Sequence, residues 1–268
     1  MSQHLTILKL GGALLTDKKR PFSLRQSTLN QVAHEIKVCL DAGLINQLIL
    51  VHGVGSFGHP PVLQHKLHQG FQSPEQLIHL TETQNKVFQL RLAIAEALHQ
   101  AGIAVSTILP SSSMSASGAV LKNSYLDAVA GFLDLGMVPL LGGDVLVDNQ
   151  MGFCVYGGDK IGVDLALHFG ASHLVFATEV DGIFDKDPHK HERAQLIEEL
   201  SLGNMAAANM NGQQVDASGS MGGKLTAVLP TRDAINDGLQ VHVLSMVKQG
   251  NLLALLQGER SVGTRIVM

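Results

Sequence analysis

Two observations predict an α/β fold, with a largely parallel sheet covered by helices on both faces. Short apolar runs of strand length alternate along the 268-residue chain with segments that repeat apolar residues at helical spacing. Hydrophobic residues make up 45% of the chain, which is ample material for a buried core. We therefore expect one large domain or two lobes that share a sheet.

The strands are predicted from the apolar runs, several of which end in a glycine-rich turn. These runs are Leu5–Leu10, Leu48–His52, Ile103–Leu109, Met137–Leu141, Leu174–Thr178 and Val241–Met246. Ligands bind beyond the carboxyl ends of the strands in an open α/β sheet. The turns at these ends are therefore the place to look for a site.

The helices are predicted from stripes of apolar residues and from their end signals. Residues 27–42 carry such a stripe and stop at Gly43, a residue type common at helix C-termini. Ser73-Pro74-Glu75 supplies an N-cap, a first-turn proline and an acid for a longer helix that reaches Gly102. A third helix covers Ile161–Phe169.

A hairpin and a lobe boundary complete the predicted organisation. Val145–Val147 and Phe153–Val155 read as its strands, and the polar segment 111–115 reads as a loop with potential mobility. We place a boundary near Gly170, which divides one continuous sheet between residues 1–170 and 171–268.

Composition argues against several classes of protein. Aromatic residues are scarce at 4%, and the net charge of -4 comes without a basic block, so nucleic acid is not expected as a partner. No apolar run approaches the ~18 residues of a membrane span, and the N-terminus lacks a signal-peptide pattern, so we expect a soluble cytoplasmic protein. Cys39 and Cys154 are expected to fill the core rather than to form a disulfide.

The glycine-rich turn from Gly53 to His59 is the most informative segment. Glycines let backbone N–H groups crowd around an anion, and a histidine at the rim adds a donor. The spacing Gly53-x-Gly55-x-x-Gly58 matches the dinucleotide-binding fingerprint, but that fingerprint requires a helix starting among the glycines and an acid after a second strand. We expect neither feature, because Pro60-Pro61 follows the turn and residues 68–74 have no strand pattern.

Other glycine-rich turns carry a lysine or an aspartate nearby. They are Lys9–Gly12, Gly142–Asp144, Gly157–Asp159 and Gly219–Lys224. The last does not match a Walker loop, since Leu225 stands where that loop needs Ser or Thr. Several glycine turns on one rim favour a site for several phosphates.

The order of these motifs resembles that of the amino-acid kinase superfamily over nearly the whole chain. The matching segments are Leu8–Gly12, Thr16–Lys18, His52–His59, Gly143-Asp144, Gly158-Asp159, Val180–Phe184, Asp187-Pro188, Gly219–Met221 with Lys224, and Gly263-Thr264. Within the superfamily, Gly55–His59 and Lys18 most resemble the isopentenyl phosphate kinases, with the fosfomycin kinases as near relatives.

The resemblance implies an α-β-α sandwich that binds the phosphate acceptor in residues 1–170 and ATP, with Mg²⁺, in residues 171–268. It also implies a homodimer in isoprenoid biosynthesis. The implied reaction transfers the γ-phosphoryl group of ATP to a phosphomonoester, with isopentenyl phosphate the foremost candidate and isopentenyl diphosphate its product.

The resemblance assigns roles to individual residues. Lys9 would bridge the transferring group, with Asp159 orienting it; Lys18 would reach the γ-phosphate, and His59 would hold the acceptor phosphate. The other expected acceptor-binding residues are Gly53, Val54, Gly55, Gly58, Gly158, Val87 and Leu90. The other expected nucleotide-binding residues are Gly11, Gly12, Thr178, Asp181, Gly182, Asp187, Gly222 and Lys224. No side chain is assigned as a metal ligand.

A phosphomonoester acceptor suits this set of residues. Its second pKa is about 6, so it is an anionic nucleophile at neutral pH and needs no strong general base. Lysines and N–H groups then suffice to position it and to neutralise its oxygens. Val87 and Leu90 are core residues first and candidates for the wall around an apolar tail second.

Three positions depart from the family pattern. Val54 replaces a usual third glycine and would be strained if that position required a positive φ. Lys160 stands where relatives commonly have a second acid, and Tyr156-Gly157 replaces a more usual Leu-Ser.

Alternatives stay open from the residues alone. The chain could be a kinase for another small phosphate, phosphonate or carboxylate, or a nucleotide-binding or oxyanion-binding protein without turnover. Asp144 is as well explained by a turn or cap as by catalysis.

Overall fold

The computed structural model describes residues 4–17, 19–186, 188, 190–203, 220–259 and 261–268. Its strands, in chain order, are β1 (Leu5–Leu10), β2 (Gln47–His52), β3 (Val105–Thr107), β4 (Met114–Ser117), β5 (Val120–Ser124), β6 (Val138–Gly142), β7 (Asp144–Asp148), β8 (Gly152–Tyr156), β9 (His173–Thr178), β10 (Ile183–Phe184), β11 (Leu196–Ile197), β12 (Glu199–Ser201), β13 (Gln240–Ser245) and β14 (Thr264–Val267).

An eight-stranded sheet forms the centre of the fold, in the order β12-β14-β13-β9-β1-β2-β6-β3. β1 pairs in parallel with β2 on one side and with β9 on the other. β13 continues the parallel pairing, whereas β14 runs antiparallel to β13. The predicted α/β fold with a largely parallel sheet is confirmed, and the carboxyl ends of β1, β2, β6 and β9 share one edge.

Helices cover both faces of this sheet. They are α1 (Gly12–Leu15), α2 (Gln26–Asp41), α3 (Gly55–Gln64), α4 (Gln76–Gln100), α5 (Pro110–Ser113), α6 (Asp127–Asp134), α7 (Gly158–Phe169), α8 (Ser220–Val228), α9 (Arg232–Asn236) and α10 (Asn251–Leu256). Short 3₁₀ turns cover Leu67–Gln69 and Leu229–Thr231.

Alternate residues of the central strands point into two separate cores. Ile7 and Ile49 belong to the cluster that includes Ile161 of α7, while Leu8 and Leu50 belong to the cluster that includes Ile36 of α2. The period of two along each strand produces this division, and because helices pack on both faces the strands carry apolar residues at successive positions.

A second sheet of four strands, in the order β5-β4-β7-β8, contains the predicted hairpin. The expectation of a polar loop at residues 111–115 is wrong, since α5 ends at Ser113 and β4 follows directly. Met114 and Ala116 are buried in alternation, and Pro110 is well placed in the first turn of α5. The sequence does not reveal this strand, because only Met114 and Ala116 show the alternation and serines surround them.

The glycine turn after β2 differs from the sequence-based expectation. α3 begins among the glycines at Gly55 and contains Pro60 and Pro61. Pro60 has no N–H to donate to the carbonyl oxygen of Ser56, and that oxygen accepts the N–H of Phe22 instead, at 3.3 Å. The expectation that no helix starts among the glycines is therefore wrong. Residues 68–74 form no strand, as expected, so the dinucleotide fingerprint is still not met.

The boundary near Gly170 stays a prediction. Gly170 ends α7 in the left-handed conformation, and β9 starts three residues later, next to β1. Within the described residues no helix is both long and apolar enough to span a membrane.

Candidate active site

A cleft of about 1150 Å³ opens at the carboxyl edge of the central sheet. The turns after β1, β2, β6, β8 and β9 all contribute residues to it, together with α3 and α4. The predicted convergence of separate glycine turns on one site is therefore observed. Of the residues predicted for the site, the cleft is lined by Lys9, Gly11, Gly12, Gly53, Val54, Gly55, Gly58, His59, Val87, Gly158, Asp159, Thr178, Gly182 and Lys224.

The glycine turns after β1 and β2 are packed backbone to backbone. A Cβ atom added to Gly53 would lie 2.6 Å from the nitrogen of Gly12, and one added to Gly12 would overlap Gly55. Thr16 joins the two turns, because its hydroxyl donates to the oxygen of Gly12 at 2.7 Å and accepts the N–H of Ser56 at 2.9 Å. The glycines thus allow the two turns to dock as well as leaving room for a ligand.

Two lysines meet on one carboxylate at the floor of the cleft. Lys9 Nζ lies 2.6 Å from Asp159 Oδ1, and Lys224 Nζ lies 3.2 Å from the same oxygen. Lys9 projects from β1, Asp159 lies in the first turn of α7, and Lys224 lies in α8. The fold brings together residues that are far apart in sequence, and it leaves one net positive charge on this triad.

The environment shifts the pKa values of this triad. Burial opposes the charged form of Asp159, but the two lysines outweigh it and lower its pKa to about 2. Burial, followed by repulsion from Lys9, lowers the pKa of Lys224 to about 8, although Asp159 opposes that change. Asp159 is therefore ionised at neutral pH, while Lys224 begins to lose its proton in mildly alkaline solution.

The acceptor side of the cleft has a histidine at its rim and an apolar wall beyond. His59 is exposed on α3 and lines the cleft. The wall is made of aliphatic side chains from α3 and the residue before it, from α4 and from the hairpin: Val54, Val62, Leu63, Val87, Val145 and Val155. This arrangement can bind a molecule with an anionic head and a short hydrocarbon tail.

Leu90 does not belong to this wall. It is fully buried in the core cluster beneath α4 and is not among the residues that line the cleft. Val87 and Leu90 are three positions apart on the same broad apolar face of α4. Only Val87 lies at the edge of that face that borders the cleft. The position of Leu90 therefore favours a packing role over the expected contact with the acceptor.

The opposite side of the cleft is lined by the segment after β9 and by α8. Thr178 and Gly182 line it, joined by Lys186 and Gly223. Asp181 instead pairs with Lys248 at 2.8 Å outside the cleft lining, and Gly222 also lies outside that lining. The predicted site residues Lys18 and Asp187 lie outside the described residues.

The three departures from the family pattern are accommodated without strain. Val54 has φ -87°, so the position does not need a glycine, and its side chain fills space beside Gly58 and Gly143. Lys160 donates to the oxygen of Ala119 at 3.2 Å and is not among the residues lining the cleft. The hydroxyl of Tyr156 donates to Asp164 at 2.7 Å.

Asp144 is held by the protein itself. Its carboxylate accepts the N–H of Val145 at 2.8 Å, the N–H of Ser111 at 3.2 Å and the side-chain amide of Gln84 at 3.5 Å. These bonds connect the hairpin, α5 and α4. They favour the structural alternative for Asp144, although it lines the cleft.

Sequence reasoning missed two groups of residues at this site. Glu179 and Lys186 line the cleft, and their place just after a strand end was an available signal. Arg91 is only 1% exposed and lies behind the turn after β2, where it contacts His52. A charged residue within the apolar stripe of a helix was the signal for Arg91.

The carboxylates of the cleft fit a metal ion carried by a nucleotide better than one held by the protein. No set of three or more metal-binding side chains is found in the described part of the chain, and Asp159 is engaged by two lysines. Mg²⁺ commonly uses one or two carboxylates together with substrate phosphates. The other two carboxylates of the cleft are also engaged by the protein, since Glu179 pairs with Arg25 at 3.3 Å and Asp144 accepts the hydrogen bonds described above.

Comparison with known proteins agrees with this geometry. The profile of the Amino acid kinase family matches residues 4–245. The isopentenyl phosphate kinase of Methanothermobacter thermautotrophicus is 29% identical, over 98% of this chain and 98% of the relative. That of Methanocaldococcus jannaschii is 32% identical, over 84% of this chain and 86% of the relative.

Solved structures show the same likeness. An isopentenyl phosphate kinase structure superposes with a TM-score of 0.82 and 27% identity, over 98% of this chain and 100% of that one. UMP kinase from Bacillus anthracis shares the fold, with a TM-score of 0.68 and 19% identity over 98% of this chain and 95% of that one. The family profile covers most of the chain, so this protein belongs to the amino acid kinase family.

Proposed function

We propose that this protein transfers the γ-phosphoryl group of ATP to isopentenyl phosphate and releases isopentenyl diphosphate and ADP. The observation that carries the proposal is the meeting of Lys9 and Lys224 on Asp159, between glycine turns on one side and an apolar wall behind His59 on the other. The similarity to isopentenyl phosphate kinases over 98% of the chain supports this choice of acceptor.

The phosphate end of the cleft performs the transfer by position and charge. Phosphoryl transfer through a loose transition state spreads negative charge over the oxygens of the transferring group. Lys9 and Lys224 neutralise that charge, and Asp159 holds both ammonium groups in place before the substrates arrive. The N–H groups of the two docked glycine turns add fixed dipoles that need little reorganisation during the reaction.

The acceptor end selects the second substrate. His59 donates a hydrogen bond to the phosphate of the acceptor, and the apolar wall covers its five-carbon tail. The acceptor is already ionised at neutral pH, so the proposal includes no general base. Mg²⁺ accompanies ATP and neutralises its phosphates; Thr178, Gly182 and Lys224 belong to the nucleotide side.

A coupled ADP-release assay with Mg-ATP tests the proposal. The acceptors compared are isopentenyl phosphate, dimethylallyl phosphate, fosfomycin, UMP, glutamate and carbamate. We expect the highest kcat/KM with isopentenyl phosphate. A higher kcat/KM with any other acceptor overturns the substrate assignment, and ATP binding without turnover on any of them overturns the assignment as a kinase.

His59→Ala separates binding of the acceptor from binding of ATP. We expect KM for isopentenyl phosphate to rise about tenfold, as for loss of a hydrogen bond to a charged group, while KM for ATP stays within about twofold. His99→Ala, a change in the last turn of α4, serves as the matched control. An unchanged acceptor KM removes His59 from the acceptor site.

Two further expectations belong to the proposal. Leu77, Ile78, Phe88 and Leu92 are exposed along α4, by 49%, 61%, 39% and 48%, and a homodimer would cover this apolar surface. Light scattering that gives a monomer mass at micromolar concentration contradicts the dimer. A cytoplasmic location, where ATP is supplied, completes the proposal.

A further inference from the structure

Arg91 and His52 form a buried pair directly behind the glycine turn after β2. Arg91 is 1% exposed and His52 is fully buried. The Nε–H of Arg91 donates to Nε2 of His52 at 3.1 Å, and Nδ1 of His52 lies 3.1 Å from the oxygen of Gly53. A carbonyl oxygen can only accept, so Nδ1 carries the proton and Nε2 is the acceptor.

The surroundings fix His52 in this tautomer and orientation. Burial, followed by repulsion from Arg91, lowers the pKa of His52 to about 3, so the ring is neutral. The imidazole lies against Gly142, where any side chain would overlap it, and its own backbone oxygen accepts the N–H of Gly143 at 3.0 Å. The ring therefore has one donor to offer, and it is directed at Gly53.

The contact with His52 is the hydrogen bond that the buried Arg91 side chain makes among the described residues. Arg91 forms no ion pair there and its Nη2 has no hydrogen-bond partner; the charge of Asp144 only partly opposes the lowering of the pKa of Arg91 by burial. Burying a guanidinium that has no carboxylate in direct contact is costly, and a methionine would fill the same space between α4 and the sheet at less cost. The position of Arg91 suggests that its charge and its Nε–H serve the turn in front of it.

The hydrogen bond to Gly53 acts on the peptide that joins Gly53 to Val54. Donation to the carbonyl oxygen holds the plane of that peptide and polarises its N–H, which belongs to Val54. Within the described residues the N–H groups of Val54 and Gly55 find no acceptor in the protein, and both residues line the cleft. They are free to bind an anion at the start of α3.

We propose that Arg91 and His52 are positioning residues that orient and polarise the Gly53–Val54 peptide for the phosphate of the acceptor. This inference rests on the proposed function, and it names residues behind the cleft rather than in contact with a substrate. Arg91 acts through His52, and His52 acts through one carbonyl oxygen. Loss of either should therefore weaken acceptor binding more than ATP binding.

Steady-state kinetics of Arg91→Met, His52→Phe and the double variant test the pair. Each single variant introduces an apolar side chain of similar size. It should raise KM for isopentenyl phosphate about tenfold, with KM for ATP within about twofold. KM for isopentenyl phosphate of the double variant should not exceed that of the more strongly affected single variant. The reason is that both changes interrupt the same chain of contacts, from Arg91 through His52 to Gly53, which we call the relay. Equal increases in both KM values, or effects that multiply, overturn the proposal.

A matched control separates position from stability. Leu98→Ala removes a buried side chain from the same helix, in the core cluster below α4. It should lower Tm without changing the ratio of the two KM values. A changed ratio for Leu98→Ala assigns the kinetic effect to general loosening of α4 and overturns the relay.

A spectroscopic readout of the same pair needs no activity. In the ¹⁵N-histidine NMR spectrum of the wild-type protein, His52 should be the Nδ1–H tautomer and should not titrate between pH 5 and pH 8, given its pKa of about 3. Arg91→Lys, which keeps the charge and loses the planar donor, should shift the ¹⁵N resonance of Nε2. An Nε2–H tautomer contradicts the relay even if isopentenyl phosphate is turned over, and absence of wild-type turnover contradicts only the proposed function.

Discussion

The floor and the wall of the cleft are built on different principles. The floor consists of strand ends, glycine backbone and the charges of Lys9, Asp159 and Lys224, and it tolerates little displacement. The wall consists of aliphatic side chains from two helices and a hairpin. The comparison indicates that the proposed chemistry depends on backbone and charged groups that contact one another, whereas the choice of acceptor depends on side chains that can change one at a time.

The largest expected effect is on the floor. Lys9→Ala should lower kcat on the order of a hundredfold to a thousandfold, the usual cost of removing one preorganised group that stabilises transition-state charge. Binding of ATP should change far less, because Lys224 remains. Lys37→Ala, a surface lysine paired with Asp41, is the control. A kcat close to the wild-type value would mean that Lys9 takes no part in the transfer.

Gly12→Ala tests whether the docking of the two glycine turns contributes to the rate as the charged residues of the floor do. The added methyl group overlaps Gly55, so the turns must separate. A displacement near 1 Å at a reacting centre costs about a hundredfold in rate, and overpacking costs about 1–3 kcal/mol of stability.

Gly131→Ala is the matched control for that change. Gly131 lies in α6 with no atom within 4 Å of an added Cβ, so alanine should stabilise the protein by about 0.5–1 kcal/mol. Kinetics and denaturant unfolding measure both variants. If Gly12→Ala is as benign as Gly131→Ala, the contact between the turns has no functional weight.

The pH dependence provides a third test of the floor. In the proposed reaction the charged form of Lys224 binds the phosphates, and burial together with Lys9 lowers its pKa to about 8 in the free protein. As pH rises through 8 the ammonium is lost, so kcat/KM for ATP should fall, by about tenfold at pH 9. Arginine keeps its proton in this range, so Lys224→Arg should flatten the profile whatever its absolute rate. A profile that falls equally in both proteins assigns the titration to another group.

The smallest effect is expected on the wall. Val87→Ala removes apolar contact with the tail and should raise KM for isopentenyl phosphate about threefold to tenfold, at about 0.8 kcal/mol per methylene. The kcat value and KM for ATP should stay close to wild type. Val38→Ala, the same substitution at a partly exposed site on α2, should change none of these values. A fall in kcat for Val87→Ala would contradict the assignment of acceptor binding to the wall and of the chemical step to the floor.

The same distinction explains what the sequence could predict. β1 was predicted to the residue, and the glycine turns were located, because strand periodicity and glycine are local signals. Val87 and Leu90 could not be told apart, since helical spacing gives both the same face and only packing against α3 decides between them. Neither the docking of Gly12 on Gly55 nor the Arg91–His52 contact leaves a local pattern, because each joins segments that are distant in the chain.

The start of α3 was hidden for a similar reason. Proline is read as a helix breaker, and its cost depends on whether the freed carbonyl finds another partner. Here Phe22 supplies that partner through its N–H, which no local rule could foresee.

Pro60 also has a mechanical consequence. Pro60 has no N–H to donate to the carbonyl oxygen of Ser56, so that oxygen accepts the N–H of Phe22. This hydrogen bond joins the segment around Phe22 to the helix that carries His59. The segment around Phe22 and the helix that carries His59 are therefore held together, and displacement of either one would break this hydrogen bond.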